Sequence, residues 1–445
     1  MTPDTTRPSA RPTPEWFANG VVYQIWLRSF TPEGTLAAAA KRLGSIAELG
    51  ANLVYLSPVM LADPDPRREF WSVRQCASVA QNPRNPYRTS NFNRIDPEYG
   101  TEADLRAFLA EAHRAGLKVL MDLVYHHTGP TCDLLSRPGF YQLGEDGKPL
   151  CNSWHFLRLN LANAELRRYF MDDMRHWLSC GADGFRFDVS GAVPLDFWEE
   201  ARRTLGKEKA DLIMVAENEG LAEEQALAFD ASYSFGWYDR LRQVVVEGAD
   251  AAVLREHHDR LEAAYPRGSR FLRYSDNHDL HRADVVFGEA ASRALTVLHF
   301  SMDGIPFLYN GQEIGDTTPQ DLFSHWPVRW ETSGTPTAKA KREFVRKCCA
   351  VRRGPDSPAT ADFAWIENDR ADSVLCFRRR EGKRAWFTAI NLRNRPVQIR
   401  LASRAEDPHG FRDLLDEGKE IALGAEGRLD LPSFGAVWGI QKARG

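Results

Sequence analysis

Between residues 21 and 353, short apolar runs rich in β-formers alternate eight times with longer helical patterns, and this repetition constrains the fold more than any other feature of the 445-residue chain. Strands are expected at Val21–Leu27, Asn52–Ser57, Lys118–Val124, Gly184–Val189, Leu212–Ala216, Ala231–Phe235, Phe271–Tyr274 and Ile305–Tyr309. Helical periodicity is expected at Thr35–Leu49, Glu102–Ala115, Ala164–Cys180, Leu195–Leu205 and Ala290–Met302. Eight such units in series predict an α/β fold, a (β/α)8 barrel, rather than a doubly wound sheet. A nucleotide-binding doubly wound sheet normally carries a glycine-rich phosphate turn after its first strand, and neither G-x-G-x-x-G nor a P-loop occurs here. Two connections are long, residues 58–95 and 126–161, and loops of that size tend to be functional.

After residue 353 the texture changes. The breaker cluster GPDSP (354–358) is followed by alternating segments such as SVLCFRR, RAWFTAINL and GAVWGIQ. The expected organisation is a disordered N-terminal tail (1–19), a barrel (20–125 and 162–353), a small inserted domain (126–161) and a C-terminal antiparallel β-sandwich domain (360–445).

Composition narrows the function classes. Lys and Arg number 57 against 61 Asp and Glu, with no basic stripe, which speaks against a nucleic-acid partner. No stretch of the chain approaches 18 consecutive apolar residues, so no membrane span is expected. The seven cysteines form an odd set without a C-x-x-C pair, and the first fourteen residues lack the apolar run of a secretory signal. Both features predict reduced thiols in a soluble cytoplasmic protein.

In a βα barrel the reacting groups lie past the C-terminal ends of the strands. Collecting the polar residues there gives Asp122 and His127 from MDLVYHHTG, Arg186 and Asp188 from GFRFDVSG, Glu217 from IMVAENEG, and His278, Asp279 and Arg282 from YSDNHDLHR. Taken singly, each is a candidate helix cap or salt-bridge partner, or a ligand for a divalent metal. Together they bring three carboxylates to one mouth. Two carboxyl groups flanking an anomeric carbon are what glycoside hydrolysis requires, one ionised to attack and one protonated for the leaving oxygen. Arg186, two residues from Asp188 on a strand and so on the same face, is expected to lower the pKa of Asp188. Glu217, crowded by Asp188 and Asp279, is expected to have its pKa raised. His126 and His127 are adjacent on a strand and expected to point apart, which speaks against joint metal ligation.

These residues carry a resemblance to the alpha-amylase family of glycoside hydrolases, family thirteen. The family's D-x-V-x-N-H motif is similar to Asp122–His127, its G-F-R-x-D to Gly184–Asp188, its strand-five glutamate to Glu217 and its N-H-D to Asn277–Asp279. The resemblance runs from about residue 20 to the C-terminus. It implies Asp188 as nucleophile, Glu217 as general acid/base and Asp279 as transition-state stabiliser, with Tyr87, Asp122, His127, Arg186, His278 and Arg282 binding the sugar. It also implies an oligosaccharide or α-glucan substrate and no cofactor.

Departures from the family pattern shape further expectations. His126 stands where calcium-binding members have Asn, and Arg158 stands where they have Asp, so no metal is expected. Gly191 and Ala192 replace the Lys-His that follows the nucleophile in many endo-acting amylases. A pocket for short α-glucosides is therefore expected, with the excursion after the second strand walling one side. Transglycosylation through the same covalent intermediate and a non-catalytic carbohydrate-binding role are the alternatives. Arg88 and Arg282 allow two readings: both approach the sugar and select an anionic one, or Arg88 turns away to Asp63, Asp65 or Glu69.

Overall fold

A computed structural model describes residues 7–402, 410–416, 418–421, 423 and 427–441. The eight barrel strands are β1 (Val22–Ile25), β2 (Leu53–Leu56), β3 (Lys118–Leu123), β4 (Gly184–Phe187), β5 (Ile213–Ala216), β6 (Ala231–Ser232), β7 (Leu272–Arg273) and β8 (Ile305–Tyr309). They pair in parallel in the order β6-β5-β4-β3-β2-β1-β8-β7, and a parallel bridge between Ser232 and Phe271 joins the two ends into a ring. Almost every strand residue is buried, as a sheet covered by helices outside and side chains inside demands. Gly184, which opens β4, is required by that closeness: a Cβ there would lie 2.1 Å from the carbonyl oxygen of Ile213 on β5.

Several elements differ from the sequence expectation in extent. The pattern at 35–49 is two helices, Leu36–Ala40 and Leu43–Leu49, the first capped by the Thr35 side chain and the last ended by Gly50 at φ 100°. The connection at 58–95 is structured. Met60–Ala62 pairs antiparallel with Thr89–Ile95, and a short helix, Val73–Ala77, lies between them. Within 126–161, His127–Thr128 pairs with Leu157–Arg158.

The tail reading fails for residues 7–19. Ala10 and Arg11 donate backbone hydrogen bonds to Arg267 and Gln225, Arg11 pairs with Asp230, and Phe17 is fully buried. Its prolines disfavour regular structure but leave carbonyls and side chains free to dock on the barrel.

The C-terminal region forms a six-stranded antiparallel sheet covered by a two-stranded ribbon, Val397–Arg400 with Arg428–Leu431. Strand alternation explains the two cores. Val374 and Cys376 face Ile399 and Leu431 of the ribbon, whereas Leu375 and Phe377 join the barrel's core.

Candidate active site

The mouth of the barrel is organised by one buried guanidinium. Arg186, in β4, donates to Asp122 Oδ1 at 2.7 Å and to Asp188 Oδ1 at 3.1 Å, and its Nη2 lies 2.5 Å from Glu217 Oε1. The rings of Tyr55, Tyr87 and Tyr233 surround it at 5.4–5.8 Å. Asp122, in β3, has its other oxygen accepting from Tyr55 Oη (2.7 Å) and Tyr87 Oη (2.9 Å), so it holds the tyrosines and leaves Arg186 aimed at the other two carboxylates. Parallel pairing fixes heights: Asp188 N donates to Leu123 O, and Glu217 N to Phe187 O.

Electrostatics separates the three acids. Burial pushes Asp188 up to about 7, outweighing Arg186; the expectation of a lowered value is therefore corrected, because the site's dryness costs the charge more than one guanidinium returns. Burial also raises Glu217, to about 8, with the charges of Asp188 and Asp279 adding to it against Arg186. At Asp279 burial opposes the charge, but His278, Arg74 and Arg186 overcome it and hold the carboxyl well below its usual range. The order that results leaves Glu217 the preferred proton carrier, Asp188 next and Asp279 an anion.

Backbone strain contributes too. Val189, directly after Asp188, is β-branched yet left-handed at φ 45°, a conformation held at a cost. Its N–H donates to Glu217 Oε2 at 2.8 Å.

His278 is locked from three sides. Gln24, in β1, donates to its Nδ1 at 2.7 Å, Trp26 stacks on it at 5.3 Å, and its Nε2 faces Tyr87 Oη (2.6 Å) and Asp279 Oδ2 (3.1 Å). His127 donates from Nε2 to the Tyr87 carbonyl (2.8 Å) and accepts from Asn152 at Nδ1 (3.2 Å). Burial pushes its imidazole down to about 3, consistent with that neutral tautomer.

Asp122, His127, Arg186, Asp188, Glu217, His278, Asp279 and Tyr87 are thus brought together. Arg282 is not. Its guanidinium donates to Asp316 (3.0 Å), Asn310 O (2.6 Å) and Thr318 O (3.2 Å) and lies over Tyr309, bracing the loop after β8. Arg88 also turns away, donating to the carbonyls of Phe70, Asp63, Asp65 and Pro83 and lying 3.6 Å from Asp63 Oδ1. Both cations are neutralised within the protein, so the anionic-sugar reading loses its basis.

The imidazoles of His126 and His127 approach Nδ1 to Nδ1 at 3.3 Å, contrary to the expectation that they point apart, because β3 ends at Leu123 and His127 opens a separate short strand, so the two do not share one continuous strand. Burial and the charge of Arg158 push His126 down to about 4. A nitrogen donor beside a guanidinium does not fit a calcium ion. Among the described residues, one group of metal-ligand type is present, Glu102, His176 and Cys180, on outer helices, and its Glu102 is already paired with Arg106 and His176.

Sequence reasoning missed Gln24, Tyr55, Trp26, Arg74 and Asn152. Gln24 and Trp26 carried a signal, a polar residue inside an apolar run and an indole just past it. Arg74 donates to Asp279 Oδ1 at 2.6 Å from 205 positions away, which no local pattern shows.

The sequence matches the family model for the alpha amylase catalytic domain over residues 13–139 and 153–373. It is 29% identical over 394 residues to the alpha-amylase MalA of Haloarcula japonica, a match that spans 82% of this chain and 56% of that protein. It is 25% identical over 487 residues to neopullulanase 2 of Thermoactinomyces vulgaris, covering 94% and 77%. A noncanonic maltogenic alpha-amylase, AmyB of Thermotoga neapolitana, superposes with a TM-score of 0.83 at 22% identity over 96% of this chain and 99% of its own. With the family model matching well over half of its length, the chain belongs to the alpha-amylase family of glycoside hydrolases.

Proposed function

We propose that the protein is a retaining α-glycoside hydrolase acting on the α-glucosidic bonds of short oligosaccharides or α-glucans. The observation that carries this reading is Arg186 set between Asp188 and Glu217, with the Asp279 anion at the same mouth. Asp188 attacks the anomeric carbon as the glycosidic C–O bond breaks, and the Glu217 proton passes to the leaving oxygen. The glycosyl group is then an ester on Asp188. Glu217, now ionised, takes a proton from water, the water oxygen bonds to the anomeric carbon, and Asp188 leaves as carboxylate. Asp279 remains charged throughout and offsets positive charge on the sugar in both transition states.

Tyr87, Asp122, His127 and His278 are proposed to hold the sugar in place, and no metal takes part. A cytoplasmic location belongs to the same proposal, supported by seven cysteines that are all free thiols. Among the described residues no helix is long and apolar enough to cross a membrane. The test is proton NMR of the first product from maltose, isomaltose, sucrose, trehalose and starch. Release of the α-anomer supports the reading; a β-anomer or no cleavage of any of them contradicts it.

A further inference from the structure

Arg74 helps to keep Asp279 ionised, and it reaches that carboxylate from the excursion after β2, outside the barrel strands. It lies on the helix Val73–Ala77, capped by Ser72, and donates from Nη1 to Asp279 Oδ1 at 2.6 Å, with Nη2 3.5 Å from His278 O. Both side chains remain about two-fifths exposed to the mouth.

The segment that carries Arg74 is tied across the barrel. Ser78 donates to Asp321 (2.6 Å) and Asn82 to Phe323 O (3.2 Å), both in the loop after β8. Arg28, just past β1, donates to Arg84 O of the excursion and to Leu322 O of that same loop. Gln320 donates to Asn277 O after β7. Arg88 holds the base of the excursion through its four carbonyls. These ties close the arc of the mouth from β7 through β8 and β1 to β2. On the other arc, past β6, Phe235 stands 40% exposed.

Chemistry orients a substrate in this enclosure. The leaving part of an oligosaccharide lies toward the proton donor Glu217 on β5, so the transferred part, which carries the non-reducing end, lies toward Asp279 and the closed arc. A guanidinium there presents further N–H donors to sugar hydroxyls and, bonded to Asp279, occupies space a longer chain needs.

We propose that Arg74 is a specificity-determining residue: it closes the glycosyl side of the site and binds the hydroxyls of the terminal non-reducing sugar, so that cleavage proceeds from chain ends. This rests on the glycosidase reading given above.

The test compares kcat/KM for a p-nitrophenyl malto-oligosaccharide with a free non-reducing end and for the same compound capped there by an ethylidene acetal, with products identified by mass spectrometry. The wild-type protein is expected to prefer the free end by about tenfold or more, the scale of one charge-assisted hydrogen bond plus a steric block. Arg74→Ala is expected to raise KM for the free-end substrate and bring the two substrates near parity, and Arg74→Lys to keep part of the preference. Equal cleavage of both substrates by the wild-type protein, a measurement that needs no variant, overturns the proposal. So does an Arg74→Ala variant that keeps the wild-type preference. A wild-type protein inert on both substrates overturns the proposal too, and one inert also on maltose, isomaltose, sucrose, trehalose and starch removes the glycosidase reading with it.

Discussion

Asp188 and Glu217 share a single guanidinium: Arg186 Nη1 lies 3.1 Å from Asp188 Oδ1 while its Nη2 lies 2.5 Å from Glu217 Oε1. Because Nη1 is bonded to Asp122 as well, three buried carboxyl groups depend on one cation. Arg186→Leu leaves them unpaired, and loss of a buried partner costs about 3–5 kcal/mol. A fall in melting temperature together with loss of turnover is expected. Arg186→Lys keeps the charge but not the fork, so it is expected to recover stability in part while turnover stays low. A Leu variant as stable as the wild type would remove the guanidinium from the centre of the account.

The raised carboxyls also predict how stability varies with pH. Asp188 (about 7) and Glu217 (about 8) lie above the values of an unfolded chain. Between about pH 4 and pH 8 the folded protein therefore holds protons that the unfolded chain has released, and these two groups make stability fall as pH rises, levelling off above that window. Glu217→Gln removes one of them. Its melting temperature relative to wild type is expected to be higher at about pH 8 than at about pH 5. A difference that is flat or reversed in pH contradicts the burial argument.

Activity follows the same pair. With Asp188 ionised and Glu217 protonated as the active form, kcat/KM is expected to be bell-shaped with apparent limbs near about 7 and about 8 that belong to the pair jointly. A plateau reaching down to about pH 5 would show that the nucleophile's carboxyl is not raised.

Much of this was legible in the sequence, and the limits are physical. The barrel repeats and the residues at strand ends could be read because strands impose direction and period. Burial could not be read, which is why Asp188 was expected to fall and instead rises. Arg282 and Arg88 sit at suggestive positions, but their direction is set by carbonyls and acids distant in sequence, such as Asp316 for Arg282. Arg74 is the extreme case, an arginine on a short helix of the excursion whose partner lies beyond five intervening barrel strands. The docking of residues 7–19 escaped because composition reports only what a segment disfavours.

Chelation is expected to change nothing. His126 and Arg158 occupy the positions where oxygen ligands would be needed, and calcium takes six to eight oxygens. Activity and melting temperature after EDTA treatment are expected to match the untreated protein. A loss restored by added calcium would reveal a site elsewhere.

Arg88 is expected to act through stability. Arg88→Met strips a donor from four carbonyls in a buried place and is expected to lower stability by at least about 3 kcal/mol, read by denaturant unfolding. Phosphorylated sugars are expected to inhibit no better than neutral ones. Selective inhibition by the phosphorylated sugar, lost in Arg88→Met, would restore the anionic-substrate idea.

In the proposed mechanism Asp188 becomes covalently glycosylated. Incubation with a fluorinated glucosyl fluoride that slows breakdown of the intermediate, followed by peptide mass spectrometry, tests it most directly. One glycosyl group is expected on the peptide containing Asp188, absent in Asp188→Asn. A label on Glu217 or Asp279 instead, in a protein that turns over ordinary α-glucosides, would contradict it.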